Sequence, residues 1–299
     1  MARRRRRRTL RRPLLVAALA LAALAAGIWL LRKPAPPPPP GSPEGPRSGR
    51  PEGAPPSKPR RAPTRVVSPA GPGPTARVAI VLDDLGRRLE EADRLLALRI
   101  PVTAAVLPFE PRSREVAGRL LAGGAELLVH LPMEPMGGEN PGPNAVLEGQ
   151  GRRRVERLTG RAIDALPGAV GLNNHMGSRV SAEPRAVAAI LDVVAARGLY
   201  FLDSRTTADS LAFDAARERG VPATRRDVFL DSDPSPEAVR SEFHRLLELA
   251  RERGAAVGIG HPHDVTFEIL EAEIPAARAL GVEFVPISFL LERSESLPE

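Results

Sequence analysis

The chain has 299 residues, a formal net charge of +7, no cysteine and only 3% aromatic residues. Without cysteine there are no disulfides, thiolate zinc sites or cysteine nucleophile, so a metal must be held by His, Asp, Glu or water. Residues 1–76 carry 16 Lys+Arg against 2 Asp+Glu, which leaves 27 basic and 34 acidic residues in the remainder; such an acidic, aromatic-poor body argues against a nucleic-acid partner.

The first element is "RRRRRRTLRR" followed by an apolar run from Pro13 to Leu31, closed by Arg32 and Lys33. Nineteen helical residues span roughly 28 Å, close to the hydrocarbon thickness of a bilayer. The basic cluster keeps the N-terminus cytoplasmic, so residues 1–33 are expected to anchor the chain in the inner membrane with the body on the periplasmic side. "ALAALAAG" also offers small-residue cleavage sites, which would give a secreted protein. The apolar run continues past those sites through Ile28, Trp29, Leu30 and Leu31, which favours an uncleaved signal anchor. Residues 34–76 begin "PAPPPPPGSPEG" and are expected to be a disordered, extended tether, because they cannot bury apolar surface.

From residue 77 strands and helices alternate. Strands are predicted at 77–82, 101–107, 125–131, 168–173, 199–203, 222–230, 255–260 and 282–287. Helices are predicted at 86–99, 111–123, 151–166, 183–197, 207–219, 235–253 and 265–279, several of them closed by Gly198, Gly220 or Gly254. Seven or eight β/α units in residues 77–299 predict an α/β fold with a parallel sheet. An open doubly wound sheet and a distorted (β/α) barrel both fit. The barrel is preferred, because the chemically unusual residues all fall where strands end, and barrel strand ends converge on one face. No GxGxxG or Walker loop follows any strand.

Those strand-end residues form a short set. The first strand ends in Asp83 and Asp84, the third in His130, the fourth in Asn173, Asn174 and His175, the fifth in Asp203 and Ser204, and the strand at 255–260 in His261. Three of the five histidines sit at strand C-termini beside an Asp pair, which points to a metal site. His244 lies mid-helix and reads as a surface or packing residue, and His263 as a rim or capping residue. Ser178 and Ser204 have no GxSxG elbow around them, so a serine hydrolase is disfavoured.

The segments "VLDDLG", "HLPMEP", "NNHMGS", "LDS" and "GHPH", in this order over residues 77–290, resemble the divergent polysaccharide deacetylases. That family is a distant branch of the metal-dependent carbohydrate esterases. The resemblance implies a distorted (β/α) barrel, a polysaccharide such as peptidoglycan as substrate, and a divalent metal, zinc by preference. It implies Asp83 as general base, Asp84 and His130 as metal ligands, and His261 as general acid. Ordinary members place a second ligating His four residues after the first; here that place holds Glu134. The third ligand is therefore assigned to His175, with Glu134 as the alternative. Asp203 is expected to orient a ligand or the acid, and Asn174, Ser204 and His263 to support the site or substrate. Such a metal lowers the pKa of a water towards about 7 and polarises an acetyl carbonyl. The departure at Glu134, and "DDLG" in place of the usual "DDGP", leave open a glycan-binding protein without turnover on the same fold.

Overall fold

The computed structural model of the protein describes residues 76–294. The expected anchor over 1–33 and, apart from Ala76, the tether over 34–76 lie outside the described residues. Among the described residues no helix is long and apolar enough to cross a membrane.

The elements run β1 (Ala76–Leu85), α1 (Leu89–Ala97), β2 (Thr103–Val106), α2 (Ser113–Ala122), β3 (Glu126–Met133), α3 (Arg152–Ala165) and β4 (Gly171–Met176). They continue with α4 (Pro184–Ala196), β5 (Tyr200–Asp203), α5 (Ala212–Glu218), β6 (Ala223–Arg225), β7 (Val228–Phe229) and α6 (Pro236–Arg253). The last are β8 (Ala255–Gly260), α7 (Asp264–Ala279), β9 (Val282–Phe284) and α8 (Ile287–Ser294). Helix α6 shows local punctuation at work. Ser235 accepts the Ala238 N–H at its start, Pro236 fills the first turn, and Gly254 ends it at φ 84°, a left-handed conformation that glycine adopts without strain.

All strand pairs are parallel, in the order β6-β5-β4-β3-β2-β1-β8-β7, with β9 also paired to the first residues of β1. The two ends of this order, β6 and β7, are separated in sequence by only Arg226 and Asp227. Three Cα steps reach at most about 11 Å, so the sheet must roll back on itself. Consecutive N–H groups cross the seam: Arg226 donates to the Asp203 carbonyl at 3.0 Å and Asp227 to the Val257 carbonyl at 2.9 Å. The Asp227 carboxylate also accepts the Val257 N–H at 2.9 Å. The result is a distorted, incompletely hydrogen-bonded barrel, and the open doubly wound alternative falls away. The single strand expected at 222–230 is thus two strands, broken where the chain changes partners.

Alternation along the strands sorts the core. Val78, Ile80, Leu82, Ala104, Val106, Leu127 and Val129 pack against the helices, with Phe243 and Phe267 among the fully buried partners. Each Val, Leu, Ile or Phe side chain among them contributes about 1.5–3 kcal/mol by burial. Ala79, Val81, Ala105, Leu128, Leu202, Val257 and Ile259 form a second cluster inside the barrel, joined by Ile287 of α8. Glu126 tethers that helix. Its carboxylate accepts the Ser288 N–H at 3.3 Å and the hydroxyls of Thr103 at 2.9 Å and Tyr200 at 2.7 Å. The bottom of the barrel is therefore plugged, and the site lies at the other end.

Candidate functional site

Side chains alternate along a strand, so each inward series ends in a polar residue at the top. Ala79 and Val81 lead to Asp83, Leu128 to His130, Gly171 to Asn173 and His175, Leu202 to Ser204, and Val257 and Ile259 to His261. Asp84 breaks the alternation. The β1–β2 register shifts between Leu82 and Leu85, and Asp84 has φ 58°. This bulge turns two consecutive carboxylates towards one centre.

Asp84 Oδ1 lies 3.1 Å from His130 Nε2 and 2.7 Å from His175 Nδ1, and the two ring nitrogens are 3.2 Å apart. Asn173 sets the first ring. Its Nδ2 donates to Asp83 Oδ1 at 2.8 Å and to Ser204 Oγ at 3.2 Å. Its Oδ1, 2.8 Å from His130 Nδ1, therefore accepts from that ring. The other nitrogen, Nε2, is left with a lone pair facing the cluster, the form in which an imidazole ligates a metal. His261 stands on the far side, its Nε2 4.0 Å from Asp84 Oδ2. Asp231 holds it, with one oxygen 3.0 Å from Nδ1 and the other accepting the His261 N–H at 2.6 Å and the Thr266 hydroxyl at 2.7 Å.

The electrostatics follow from burial and close opposite charges. Burial is the largest influence on Asp83 and raises its pKa; His130, His261 and the Asn173 bond oppose it without cancelling it. Burial would also raise Asp84, but the imidazoles of His130 and His175 outweigh it and hold this carboxyl well below the usual range. Burial would lower His130, yet Asp83 and Asp84 overcome it and the ring is raised. Burial would lower His261 as well, but Asp231, then Asp83 and Asp84, push it up to about 9. The carboxylates around His130 attract positive charge, and a divalent cation competes with a proton for that place.

The residues fit a cation. Asp84 Oδ1 is buried with no hydrogen bond directed at it, although two ring nitrogens crowd it. Donors about 2.0–2.2 Å from a tetrahedral zinc stand roughly 3.3–3.5 Å from one another, slightly wider than the spacing here. A second group, Asp231, His261 and His263, also has donor atoms within 4.8 Å of one another. There both Asp231 oxygens already accept hydrogen bonds, and His263 is an exposed residue at the start of α7.

Not every expected residue joins the centre. Glu134 accepts the Glu148 N–H at 2.7 Å and lies 3.4 Å from Arg179, so it braces the β3–α3 loop, and the cluster of potential ligands holds His175 instead. Asp203 was expected to orient a ligand or the acid. It sits on the outward side of β5 and accepts from the Arg205 and Phe213 N–H groups and the Ser210 hydroxyl, which orders the loop into α5. The orienting contacts belong to Asn173 and Asp231. Asn174 accepts the Ser204 N–H at 2.9 Å and fixes the β4 and β5 ends to each other. Sequence reasoning passed over Asp231, although "FLDS" occurs twice, at 201–204 and 229–232. Only the second copy turns its Asp inward.

Fold and site together define a parallel (β/α) barrel with a histidine–carboxylate cluster at its strand ends whose donor atoms could hold a cation. The chain belongs to the divergent polysaccharide deacetylase family, whose model matches residues 80–291. It is 36% identical over 195 residues to the uncharacterized protein YibQ of Escherichia coli (strain K12), a match covering 65% of this chain and 61% of that relative. An uncharacterized protein of Haemophilus influenzae is 32% identical over 197 residues, covering 66% of this chain and 70% of its own length. Among solved structures, the uncharacterized protein ATU2773 from Agrobacterium tumefaciens C58 superposes with a TM-score of 0.69 at 27% identity, covering 74% of this chain and 91% of that one.

Proposed function

We propose that this protein is a divalent-cation-dependent hydrolase that removes acetyl groups from an envelope polysaccharide such as peptidoglycan. One observation carries the reading: Asp84, His130 and His175 converge between a buried carboxylate, Asp83, and an imidazole buttressed by Asp231, His261. Family membership supports a glycan as substrate.

Asp84, His130 and His175 would hold the cation, and two imidazoles with one carboxylate suit zinc. When bound, it would polarise an acetyl carbonyl and acidify water. Asp83 Oδ1 is held by Asn173, which leaves Oδ2, 3.7 Å from His130 Nε2, to take up a proton. His261 presents Nε2 to the cluster while Asp231 fixes Nδ1, and its raised pKa keeps it protonated at neutral pH. It gives that proton to the departing amine or alkoxide, a poor leaving group without one. The basic N-terminal cluster and the apolar run support anchorage in the inner membrane with the barrel in the periplasm.

The test is acetate release from N-acetylated oligosaccharides by the purified full chain, with and without a chelator. Release that stops on chelation and in His261→Ala supports the proposal. Release indifferent to chelation excludes it. Metal-loaded protein that retains glycan for hours without releasing acetate identifies a binding protein on the same barrel.

A further inference from the structure

The barrel seam carries two arginines that the chemistry above does not use. Among the described residues, neither Arg205 nor Arg226 forms an ion pair. Arg226 is partly buried. Its Nε donates to the Ser204 carbonyl at 2.7 Å and one Nη to the Arg205 carbonyl at 2.7 Å, and its guanidinium lies 4.8 Å from the Phe229 ring centroid. Among the described residues its other Nη carries no hydrogen bond. Burial and then the charge of Arg205 lower the Arg226 pKa, against weaker support from Asp203, Asp83 and Asp227. Asp203, two residues before Arg205, is engaged by the loop it orders, and Asp227, next to Arg226, is engaged by Arg253 and the Val257 N–H. Two like charges side by side, one of them partly desolvated, are costly unless an anion joins them.

Their place gives the anion a context. Phe229 is half-buried and lies 5.2 Å from the His261 ring, so Arg226 stands one ring away from the acid. On the other side Ser204 links it through Asn173 to Asp83. The guanidinium fork, stacked on Phe229 beside the acid, suits an oxyanion.

We infer that Arg205 and Arg226 form a subsite for an oxyanion substituent, a carboxylate or phosphate, on the glycan beside its acetylated sugar. The inference rests on the proposed function and narrows its substrate class to acidic polysaccharides. It predicts binding that weakens as salt rises.

Calorimetry on the metal-loaded full chain tests this with two pairs of N-acetylated oligosaccharides: one carboxylated against its carboxyl-reduced counterpart, one phosphorylated against its phosphate-free counterpart. The wild type is expected to bind at least one anionic member about tenfold more tightly than its neutral partner at low salt, the scale of one charge-assisted hydrogen bond. The pair that discriminates identifies the group. Arg226→Gln and Arg205→Gln should each bring the ratio towards one. Arg205→Gln keeps the test sound if Arg226→Gln fails to fold, because Arg205 is exposed and its side chain carries no bond among the described residues. A wild-type ratio near one for both pairs, a ratio unchanged in Arg205→Gln, or no binding of any of the four overturns the inference. Acetate is not the readout, so a measured preference survives even if the hydrolase reading fails. Acetate release without a preference removes the subsite alone.

Discussion

The side-chain oxygen of Asn173 lies 2.8 Å from Nδ1 of His130, and through that contact a buried amide decides which nitrogen of the ring faces the cluster. The same amide donates to Asp83 Oδ1 at 2.8 Å, so one residue positions both an imidazole of the cluster and the neighbouring carboxylate. Replacing Asn173 by Ala frees the ring to adopt either tautomer. Divalent-cation affinity should fall about 10–100-fold, measured by competition with a chromogenic chelator. An unchanged affinity would show that Asn173 does not set the ligand.

The cation should also stabilise the fold, because the three donors come together only in the native barrel. At a free cation concentration 100 times its Kd, the gain is about 2.7 kcal/mol. Thermal unfolding of the full chain should shift upward on adding the cation, and the shift should vanish in Asp84→Asn and in His175→Ala. An equal shift in Glu134→Gln is expected, since Glu134 is tied to Glu148 and Arg179 away from the centre.

Asp231 should govern the alkaline side of the pH–rate profile. In the proposed reaction His261 is the acid and serves only while protonated, and its folded pKa is raised to about 9. Activity should therefore hold through neutral pH and fall as pH rises through about 9. Asp231→Asn removes the charge that contributes most to this rise and should move the fall in kcat/KM to lower pH. A variant that merely loosened the loop would lower the whole profile without moving that limb.

Gly171 lets β4 lie close to its neighbours. A Cβ there would stand 2.6 Å from the Tyr200 ring, whose hydroxyl is tied to Glu126, and 2.8 Å from Cδ2 of the fully buried Leu128. Gly171→Ala should destabilise the protein by about 1–3 kcal/mol, seen as a lower midpoint in urea unfolding.

The repeating strand–helix order was legible because each strand is a short apolar run bounded by Gly, Pro or Asp. Asp84, His130, His175 and His261 could be singled out because a charge or imidazole closing such a run has no packing reason to be there. What the sequence concealed depends on which way a side chain turns. Asp203 and Asp231 close identical "FLDS" segments, yet one faces the helices and the other the site. A local pattern does not reveal that difference without the register against β4 and β8. The split at Arg226 and Asp227 was hidden for the same reason: nothing in "PATRRDVFL" marks where hydrogen bonding passes from β5 to β8. Helix α8 was missed altogether, since its short apolar stretch follows directly on β9.

Metal analysis of the purified full chain bears most directly on the cluster at the strand ends. After exposure to zinc and dialysis against metal-free buffer, the wild type should retain about one cation per chain, and Asp84→Ala and His175→Ala almost none. A wild type that retains none, or variants that retain as much as the wild type, would contradict a cation held by Asp84, His130 and His175.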